Sequence, residues 1–294
     1  MICLLVLLIL TFLLSHANNN NNLNNATINS TNGNAASRVC SHRASVGGGT
    51  SPTTPTELSA ALNYLSSQGI LCYDVDIITA KDGTIVVSHP SSTLSDSNTV
   101  TLSVFLQTLR HLPSSATATL ELKGALRGDM GFAAELLKQA RIAGVLDRIA
   151  VDGLPKSIIM EKELKVAVPL RDRFSTPGGS VCGLPIDWKE EDGDNEAAAI
   201  ESVTSLINAA HVIQPSLQCL RYKPVREALK IWKTSGRSGN SGPPVSMIQV
   251  WIIDTEEHVH SVLKDSGDLN LYFISNEPVE LRKIVARVSS ASAK

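Results

Sequence analysis

The sequence has few aromatic residues and no excess of charge of either sign. Aromatic residues make up 4% of the 294 residues, and 26 lysines and arginines nearly balance 28 acidic residues. Proteins that bind nucleic acid usually carry a clustered excess of basic residues. The composition therefore gives no indication of a nucleic-acid partner.

Several short ligand-binding motifs are also missing. The chain contains neither the GxGxxG fingerprint of dinucleotide sites nor the GK[ST] ending of a P-loop. The glycine-rich stretch VGGGT, residues 46–50, lacks that ending, and we interpret it as a flexible loop. No CxxC pair and no Cys/His pair at zinc spacing occurs. The sequence thus predicts neither a nucleotide-binding protein nor a structural zinc protein.

The N-terminal end differs in composition from the rest of the chain. Residues 2–14 form an apolar run that is short for a membrane span and typical of a signal peptide. We predict a cleaved signal peptide at residues 1–17, with a short membrane anchor as the alternative. Residues 18–37 are rich in asparagine, predict disorder, and contain glycosylation sequons at Asn25 and Asn29. These features predict a secreted glycoprotein with one domain at residues 38–294.

Four cysteines follow the predicted signal peptide: Cys40, Cys72, Cys182 and Cys219. An even number in a secreted chain permits two disulfides, which can form in three pairings. The sequence does not choose among the pairings, and buried free thiols are the alternative.

Short β-rich runs alternate with helical patterns from residue 38 onward. The strand candidates are RVCSH, ILCYDVDII, TIVVSH, TATLELK, RIAVDG, LKVAVPL, HVIQPSL, SMIQVWII and LNLYFIS. Helical patterns lie between most of them. Repeated strand–helix units predict a parallel sheet, and about eight main strands in about 255 residues predict a closed (β/α)8 TIM barrel. An open doubly wound sheet is the alternative.

The stretch CYDVDIITAKDGTIVVSHP, residues 72–90, carries two acidic residues inside an apolar strand. Asp74 and Asp76 are two positions apart and therefore face the same side of the strand. Burying a carboxylate is unfavourable unless another group compensates its charge. We therefore expect a compensating group opposite Asp74 and Asp76. His89 ends the short strand that follows.

Further polar residues stand at the ends of other predicted strands. His42 and Arg43 end the first strand, Glu121 and Lys123 end TATLELK, and Trp251 lies near the end of SMIQVWII. In a TIM barrel the C-terminal strand ends form the active-site face. Each residue alone is compatible with an ordinary structural role, but packing does not require the whole set on one face.

The residue types indicate a particular chemistry. Three carboxylates, Asp74, Asp76 and Glu121, suit a hard divalent cation such as Mg²⁺ or Ca²⁺, whereas softer metals prefer Cys or His. Two histidines beside such a site suit a general base and a general acid. Arg43 and Lys123 suit an anionic group, and arginine suits a phosphate through its paired donors. Together these groups predict displacement at a phosphoryl group.

These residues resemble the motifs of the glycerophosphodiester phosphodiesterases, which belong to the phospholipase C-like phosphodiesterase TIM-barrel superfamily. The matching segments, in family order, are HR at 42–43, DVD at 74–76, the run at 79–89, LELK at 120–123, VWIID at 250–254 and FISNEP at 273–278. The first four also have similar spacing. The resemblance covers nearly the whole predicted domain.

The resemblance implies a role for each of eight matching positions. They are the catalytic histidines His42 and His89, the metal ligands Asp74, Asp76 and Glu121, and the substrate- or phosphate-binding residues Arg43, Lys123 and Trp251. In the family mechanism, water or a substrate hydroxyl attacks phosphorus. One histidine acts as the base, and the other protonates the leaving alcohol.

Three positions depart from the family pattern. Asp74 stands where the family usually has Glu, Ala44 stands where it has Gly, and Pro90 stands where it has Asp. Asp is one methylene shorter than Glu, so a bound cation would shift or bind through water. The segment between His89 and Glu121 is also shorter than in typical bacterial members, which leaves the head-group pocket unspecified.

The sequence thus predicts a metal-dependent enzyme that hydrolyses a phosphodiester, in the first place a glycerophosphodiester, to an alcohol and glycerol phosphate. One alternative is a phospholipase D-like activity on choline lipids or lysolipids. Another is a catalytically inactive binding protein of the same fold. The expected partner is a small-molecule or lipid phosphodiester, with no nucleic acid and no stable membrane span.

Overall fold

The structure is a computed structural model of the chain. It describes residues 38–89, 99–155, 164–172, 180–186, 188–189, 195–235, 247–266 and 269–291. The predicted signal peptide at 1–17, the Asn-rich segment at 18–37 and Pro90 lie outside the described residues.

Eight of the nine strands in the described residues are parallel and close into a barrel. The strands are β1 (Val39–His42), β2 (Cys72–Thr79), β3 (Ile85–Val87), β4 (Thr117–Leu122), β5 (Ile149–Asp152), β6 (Lys165–Leu170), β7 (Val212–Pro215), β8 (Met247–Val250) and β9 (Leu271–Ser275). Their order in the sheet is β1-β9-β8-β7-β6-β5-β4-β2-β3, and β1 also pairs with β2, which closes the ring. The predicted (β/α)8 TIM barrel is therefore confirmed, and the open doubly wound sheet is wrong.

Strand β3 lies outside the ring and forms a hairpin with the end of β2. It runs antiparallel to β2 after a turn at Asp82 and Gly83, where the φ of Gly83 is +86° and favours glycine. The Ser88 amide then donates to the Asp76 carbonyl oxygen at 3.1 Å. The hairpin thus carries His89 back to the C-terminal end of β2.

Seven α-helices in the described part of the chain connect the strands. They are α1 (Pro55–Ser67), α2 (Leu102–His111), α3 (Met130–Ala143), α4 (Glu196–Ile207), α5 (Lys223–Thr234), α6 (Glu256–Ser266) and α7 (Pro278–Ala291). Standard capping interactions stabilise the start of α1 and the end of α3. Thr54 and Glu57 form a capping box at the start of α1, and Gly144 ends α3 in the left-handed conformation.

The barrel interior changes from apolar to polar along the strands. Near the N-terminal ends its buried lining consists of Cys40, Cys72, Ala150, Ala167, Val212, Met247 and Ile274. The next layer is hydrogen-bonded. Gln214 Nε2 donates to Asp74 Oδ1 and to Gln249 Oε1, both at 2.9 Å, and Thr119 Oγ1 donates to Gln249 Oε1 at 3.1 Å. The polar end of this gradient is the C-terminal mouth of the barrel.

The four cysteines form two disulfides, Cys40–Cys72 and Cys182–Cys219. Cys40 and Cys72 are register partners on β1 and β2 and face the barrel interior. The disulfides link residues 32 and 37 positions apart, and each such cross-link stabilises the fold by about 3–4 kcal/mol in the chain-entropy model. The four cysteines are thus disulfide-bonded and not the buried free thiols that the sequence also allowed, and the pairing that it left open is determined.

Across the described ranges, no helix combines the length and the apolar character needed to cross a membrane.

Candidate active site

A cavity of about 190 Å³ opens at the C-terminal mouth of the barrel. All eight predicted site residues line it. Its catalytic side, from β1 to β4, consists of His42, Arg43, Asp74, Asp76, His89, Glu121 and Lys123; its distal side, from β6 to β8, consists of Pro169, Arg171, Gln214, Trp251 and Ile252. The structure therefore brings the predicted residues together, and Trp251 is the one among them that belongs to the distal side.

The turn after β1 places His42 and Arg43 over the mouth. The Arg43 amide donates to the Asp74 carbonyl oxygen at 2.5 Å, and the Ser45 amide donates to the His42 carbonyl oxygen at 3.1 Å. Arg43 and Ala44 have φ values of +58° and +54°, in the left-handed region. Ala44, which stands where the resembling family has glycine, is fully buried in this conformation. The sharp turn is thus kept although alanine fits it less well than glycine.

His42 is held by a hydrogen-bonded chain that ends at a carboxylate. Asn276 donates from its side-chain Nδ2 to Asp254 Oδ2 and from its backbone N–H to Asp254 Oδ1, both at 2.8 Å. Because the carboxylate only accepts hydrogen bonds, Nδ2 of Asn276 must face Asp254. Its Oδ1 therefore faces His42 Nδ1, at 2.8 Å. His42 Nδ1 therefore carries the donating hydrogen, and Nε2 of the neutral ring is left as the proton acceptor.

Both histidines have lowered pKa values. Burial lowers the pKa of His42, although its hydrogen bond with Asn276 raises it, and the positive charge of Arg43 lowers it further. Burial, followed by the charge of Arg43, lowers the pKa of His89 as well. Both rings consequently favour the neutral form near neutral pH, the form in which an imidazole accepts a proton.

The glycine-rich loop at 46–50 packs against the residue that holds His42. Gly49 has a φ of +64°, and a Cβ atom there would lie 2.2 Å from Asn276 Oδ1. Gly48 donates from its amide to Glu277 Oε1 at 2.6 Å, and the Gly49 carbonyl oxygen accepts from Arg43 Nη1 at 3.2 Å. The loop predicted to be flexible therefore packs against Asn276, the partner of His42, and accepts a hydrogen bond from Arg43.

The three predicted metal-ligating carboxylates are adjacent at one end of the sheet. In the register of β2 and β4, Asp76 pairs with Glu121, and Asp74 lies two residues before Asp76. Lys123 Nζ lies 3.0 Å from Asp76 Oδ1 and 2.5 Å from Glu121 Oε1. Arg43 Nε lies 3.5 Å from Asp76 Oδ2. The compensating group expected for Asp76 is thus a pair of cationic side chains, whereas Asp74 accepts a hydrogen bond from the neutral Gln214.

Asp74 lies deeper in the mouth than the other two carboxylates. Burial raises its pKa to about 7, and the negative charges of Glu121 and Asp76 raise it too, whereas the hydrogen bond from Gln214 lowers it. Burial alone would also raise the pKa of Glu121, but Lys123 and Arg171 outweigh it and hold that pKa below its usual value. The two carboxyl groups thus differ because Glu121 has cationic partners and Asp74 has a neutral one.

A second ionic cluster extends the first toward the distal side. Arg171 contacts Glu121 and lies 3.7 Å from Asp152 Oδ2. Arg127 binds the Asp152 carboxylate through two hydrogen bonds of 3.1 and 3.2 Å. Asp152 on β5 is the register partner of Glu121 on β4. The two clusters together therefore contain four acidic groups and four cationic groups.

Trp251 is fixed at its edge and covered on one face. Its Nε1 donates to the Gln214 carbonyl oxygen at 2.9 Å. The guanidinium carbon of Arg171 lies 5.6 Å from the centroid of its ring, within the range of a cation–π contact. The ring is thus a rigid part of the distal wall.

The fit of a divalent cation depends on the carboxylates of the catalytic side. Within the described segments, no three Asp, Glu, His or Cys side chains are grouped closely enough to hold a metal ion. The oxygen donors nevertheless suit a hard cation, and the buried Asp76 Oδ2 accepts no hydrogen bond. The donor set therefore fits Mg²⁺ or Ca²⁺ chemically, whereas Lys123 and Arg171 now neutralise two of its members.

Several residues of the mouth escaped the sequence reasoning. Asp254 and Asn276 lie in the VWIID and FISNEP segments, which supported the family resemblance without receiving roles. Asp152 and Arg171 stand at the ends of β5 and β6, and Gln214 lies in β7. The strand-end rule, applied to every strand, would have found the acidic and basic members of this set.

Comparisons with known proteins identify the fold. No protein-family model matches the sequence, and no curated protein is significantly similar to it. A glycerophosphodiester phosphodiesterase from Parabacteroides distasonis has a TM-score of 0.55 at 14% identity, over 86% of this chain and 98% of that one. One from Agrobacterium tumefaciens has a TM-score of 0.51 at 16% identity, over 86% and 99%.

A second Parabacteroides distasonis protein, a glycerophosphoryl diester phosphodiesterase, has a TM-score of 0.51 at 12% identity, over 85% of this chain and 87% of that one. At such identities the likeness establishes a shared fold and no more. The fold that the motif resemblance implied, a TIM barrel shared with glycerophosphodiester phosphodiesterases, is thus confirmed.

Proposed function

We propose that the chain is a phosphodiesterase that hydrolyses glycerophosphodiesters to an alcohol and glycerol phosphate. One observation carries the proposal. One cavity at the C-terminal end of a TIM barrel is lined by two histidines, by three carboxylates, and by Arg43 and Lys123, whose cationic groups suit a phosphate. Active sites of this fold lie at that end, and the set matches the needs of phosphoryl displacement. The fold likeness to phosphodiesterases supports the same reaction.

In this proposal His42 is the general base. The hydrogen-bonded chain through Asn276 to Asp254 leaves Nε2 as its proton acceptor. Nε2 takes a proton from the attacking water or substrate hydroxyl as the new bond to phosphorus forms. Asp254 does not become protonated; it orients Asn276 and stabilises the positive charge that develops on the ring.

His89 is then the general acid for the leaving alcohol. The hairpin of β2 and β3 places it on the same side of the mouth as His42. Its pKa is lowered by burial and by Arg43, and an anionic phosphodiester bound beside it would raise that pKa. Substrate binding therefore favours the protonated ring that the leaving oxygen requires.

Arg43 and Lys123 bind the phosphate. Their side chains are 26% and 22% exposed, so both reach the cavity while they contact Asp76. A guanidinium and an ammonium group provide charge-assisted hydrogen bonds to phosphate oxygens, and the negative charge of the transition state strengthens them.

Asp74, Asp76 and Glu121 would hold the Mg²⁺ or Ca²⁺ ion. When bound, a divalent cation supplies positive charge beside the phosphoryl oxygens. Binding it requires Lys123 to release Glu121 or Asp76, and the phosphate is the alternative partner for that lysine. Cation and substrate binding are therefore expected to favour each other.

We also propose that the protein acts in the secretory pathway or outside the cell, as a glycoprotein. The N-terminal apolar run and the two sequons motivate this proposal. The two disulfides support it, since such cross-links persist mainly in oxidising compartments.

The experiment is an assay of glycerol phosphate release from glycerophosphoglycerol, with the full-length or signal-processed protein. We expect turnover that EDTA abolishes and that added Mg²⁺ or Ca²⁺ restores. No release from several glycerophosphodiesters with either cation would overturn the proposed function. Undiminished turnover in EDTA would overturn only its metal dependence.

A further inference from the structure

The distal side of the cavity has a chemistry of its own, and Trp251 is the one residue of it that the sequence analysis assigned to the site. It is formed by the ends of β6, β7 and β8, across the ring from the two histidines. If the catalytic side binds the phosphate, a substituent of that phosphate extends toward the distal side. The residues there would then discriminate among substrate head groups.

Arg171 dominates this wall. Its side chain is 24% exposed, lines the cavity, and contacts Glu121 and Asp152 through one guanidinium nitrogen, Nη2. The guanidinium also lies over the ring of Trp251. An arginine stays protonated at any physiological pH, so Arg171 keeps its charge, and its contacts with carboxylates in the described residues engage Nη2 alone.

A quaternary ammonium group, such as choline, is recognised by an uncovered aromatic face and by nearby negative charge. Both conditions are weakened on the distal side, where Arg171 already covers one face of Trp251. The cation already stacked on the ring of Trp251 is Arg171, and the acidic groups within reach, Glu121 and Asp152, are paired with arginine. Asp74 is bonded to Gln214. A trimethylammonium group would meet like charge and could not accept the donors of Arg171.

We infer that Arg171, stacked on Trp251, makes the enzyme select head groups that present hydroxyl or anionic oxygens and reject choline. This inference rests on the proposed function and names its substrate class. A polyol head group such as glycerol can accept hydrogen bonds from the guanidinium and carries no opposing charge. The phospholipase D-like alternative on choline lipids is disfavoured by the same contacts.

The test compares kcat/KM for glycerophosphoglycerol and glycerophosphocholine, two diesters that release the same glycerol phosphate. The wild-type protein is expected to prefer glycerophosphoglycerol by about tenfold, which is the scale of a single cation–π interaction. Arg171→Met removes the charge and uncovers the ring, and should reduce the preference about tenfold. Arg171→Lys keeps the charge and should keep the direction of the preference.

Arg127→Met is the matched control. Arg127 pairs with the same two carboxylates, at 3.1 Å from Asp152 and 3.9 Å from Glu121, but it is not among the residues that line the cavity. Its replacement should leave the substrate preference unchanged. Thermal unfolding of each variant establishes that the comparison is made on folded protein.

The outcomes separate the inference from the proposed function. Efficient hydrolysis of both diesters without a preference, or a preference for the choline diester, would overturn the inference alone. So would an Arg171→Met protein with the wild-type ratio, or an Arg171→Lys protein that prefers choline. Hydrolysis of neither diester would overturn the proposed function and the inference that rests on it.

Discussion

The two sides of the cavity are built differently. On the catalytic side, His42 and Arg43 are neighbours in sequence, and Asp74 and Asp76 are two positions apart. Of the five residues on the distal side, Pro169, Arg171 and Gln214 lie outside every segment that resembles the family motifs, and Trp251 and Ile252 belong to one. The residues proposed to perform the chemistry thus all lie in motifs that the sequence makes recognisable, whereas Arg171, proposed to face the head group, lies in none. We therefore expect changes on the distal side to alter substrate choice without abolishing the reaction.

The largest expected effect comes from the histidines of the catalytic side. His42→Ala and His89→Ala should each reduce kcat by roughly 10²–10⁴-fold, the usual contribution of a general acid or base. The loss should be the same for every head group, because proton transfer does not involve the distal side. Steady-state kinetics on both diesters measures it, and calorimetry should still detect cation binding. A loss of kcat with only one of the two substrates would contradict the assignment of proton transfer to the catalytic side and head-group choice to the distal side.

Asp76→Asn tests the carboxylates with little change of shape. The substitution removes the charge that Lys123 and Arg43 contact, and should reduce activity by roughly 10²-fold through weaker cation binding. Wild-type protein should melt at a higher temperature with Mg²⁺ or Ca²⁺ than in EDTA, because a ligand of the folded state stabilises it. The Asp76→Asn protein should lack that shift. A normal shift would remove Asp76 from the cation site.

Asn276→Ala tests the chain that supports His42. Loss of an orienting hydrogen bond should reduce kcat by on the order of 100-fold with little change in KM. The bond with Asn276 raises the pKa of His42, as do the charges of Asp76 and Asp254, whereas Arg43 lowers it. Without Asn276 that pKa falls, so the acid limb of the activity profile should move to lower pH. An unmoved limb would contradict the proposed role of His42 as the base.

A smaller effect is expected at the glycine-rich loop. A Cβ at Gly49 would lie 2.2 Å from Asn276 Oδ1, whereas a Cβ at Gly48 meets nothing within 4 Å. Both residues have positive φ, at +64° and +70°, so alanine is strained at either one. Gly49→Ala should therefore lower kcat about tenfold relative to Gly48→Ala, its matched control. Equal rates for the two variants would show that the loop does not position Asn276.

Much of the fold was predictable because its signals are local. Alternating strand and helix patterns indicated the order of the elements that the structure shows. The catalytic side was predictable for the same reason, since spacing of two along a strand determines a shared face. The roles assigned to those residues stay predictions.

The remaining features depend on contacts between distant parts of the chain. His42 and Asn276 are 234 positions apart, and only the neighbouring positions of β1 and β9 bring them together. Arg171 reaches Glu121 from 50 positions away. The pairing of Cys40 with Cys72 follows from the register of β1 and β2. Without the strand register, no pattern in the sequence distinguishes these partners from others.

The most direct test of the central claim is the phosphorus NMR spectrum of a glycerophosphoglycerol solution during incubation with the wild-type protein and Mg²⁺ or Ca²⁺. We predict that the diester resonance disappears as a phosphomonoester resonance of glycerol phosphate grows, and that the His42→Ala protein converts the diester at least about 100-fold more slowly. A diester resonance that persists with either cation, or conversion at the same rate by His42→Ala, would contradict the proposed function.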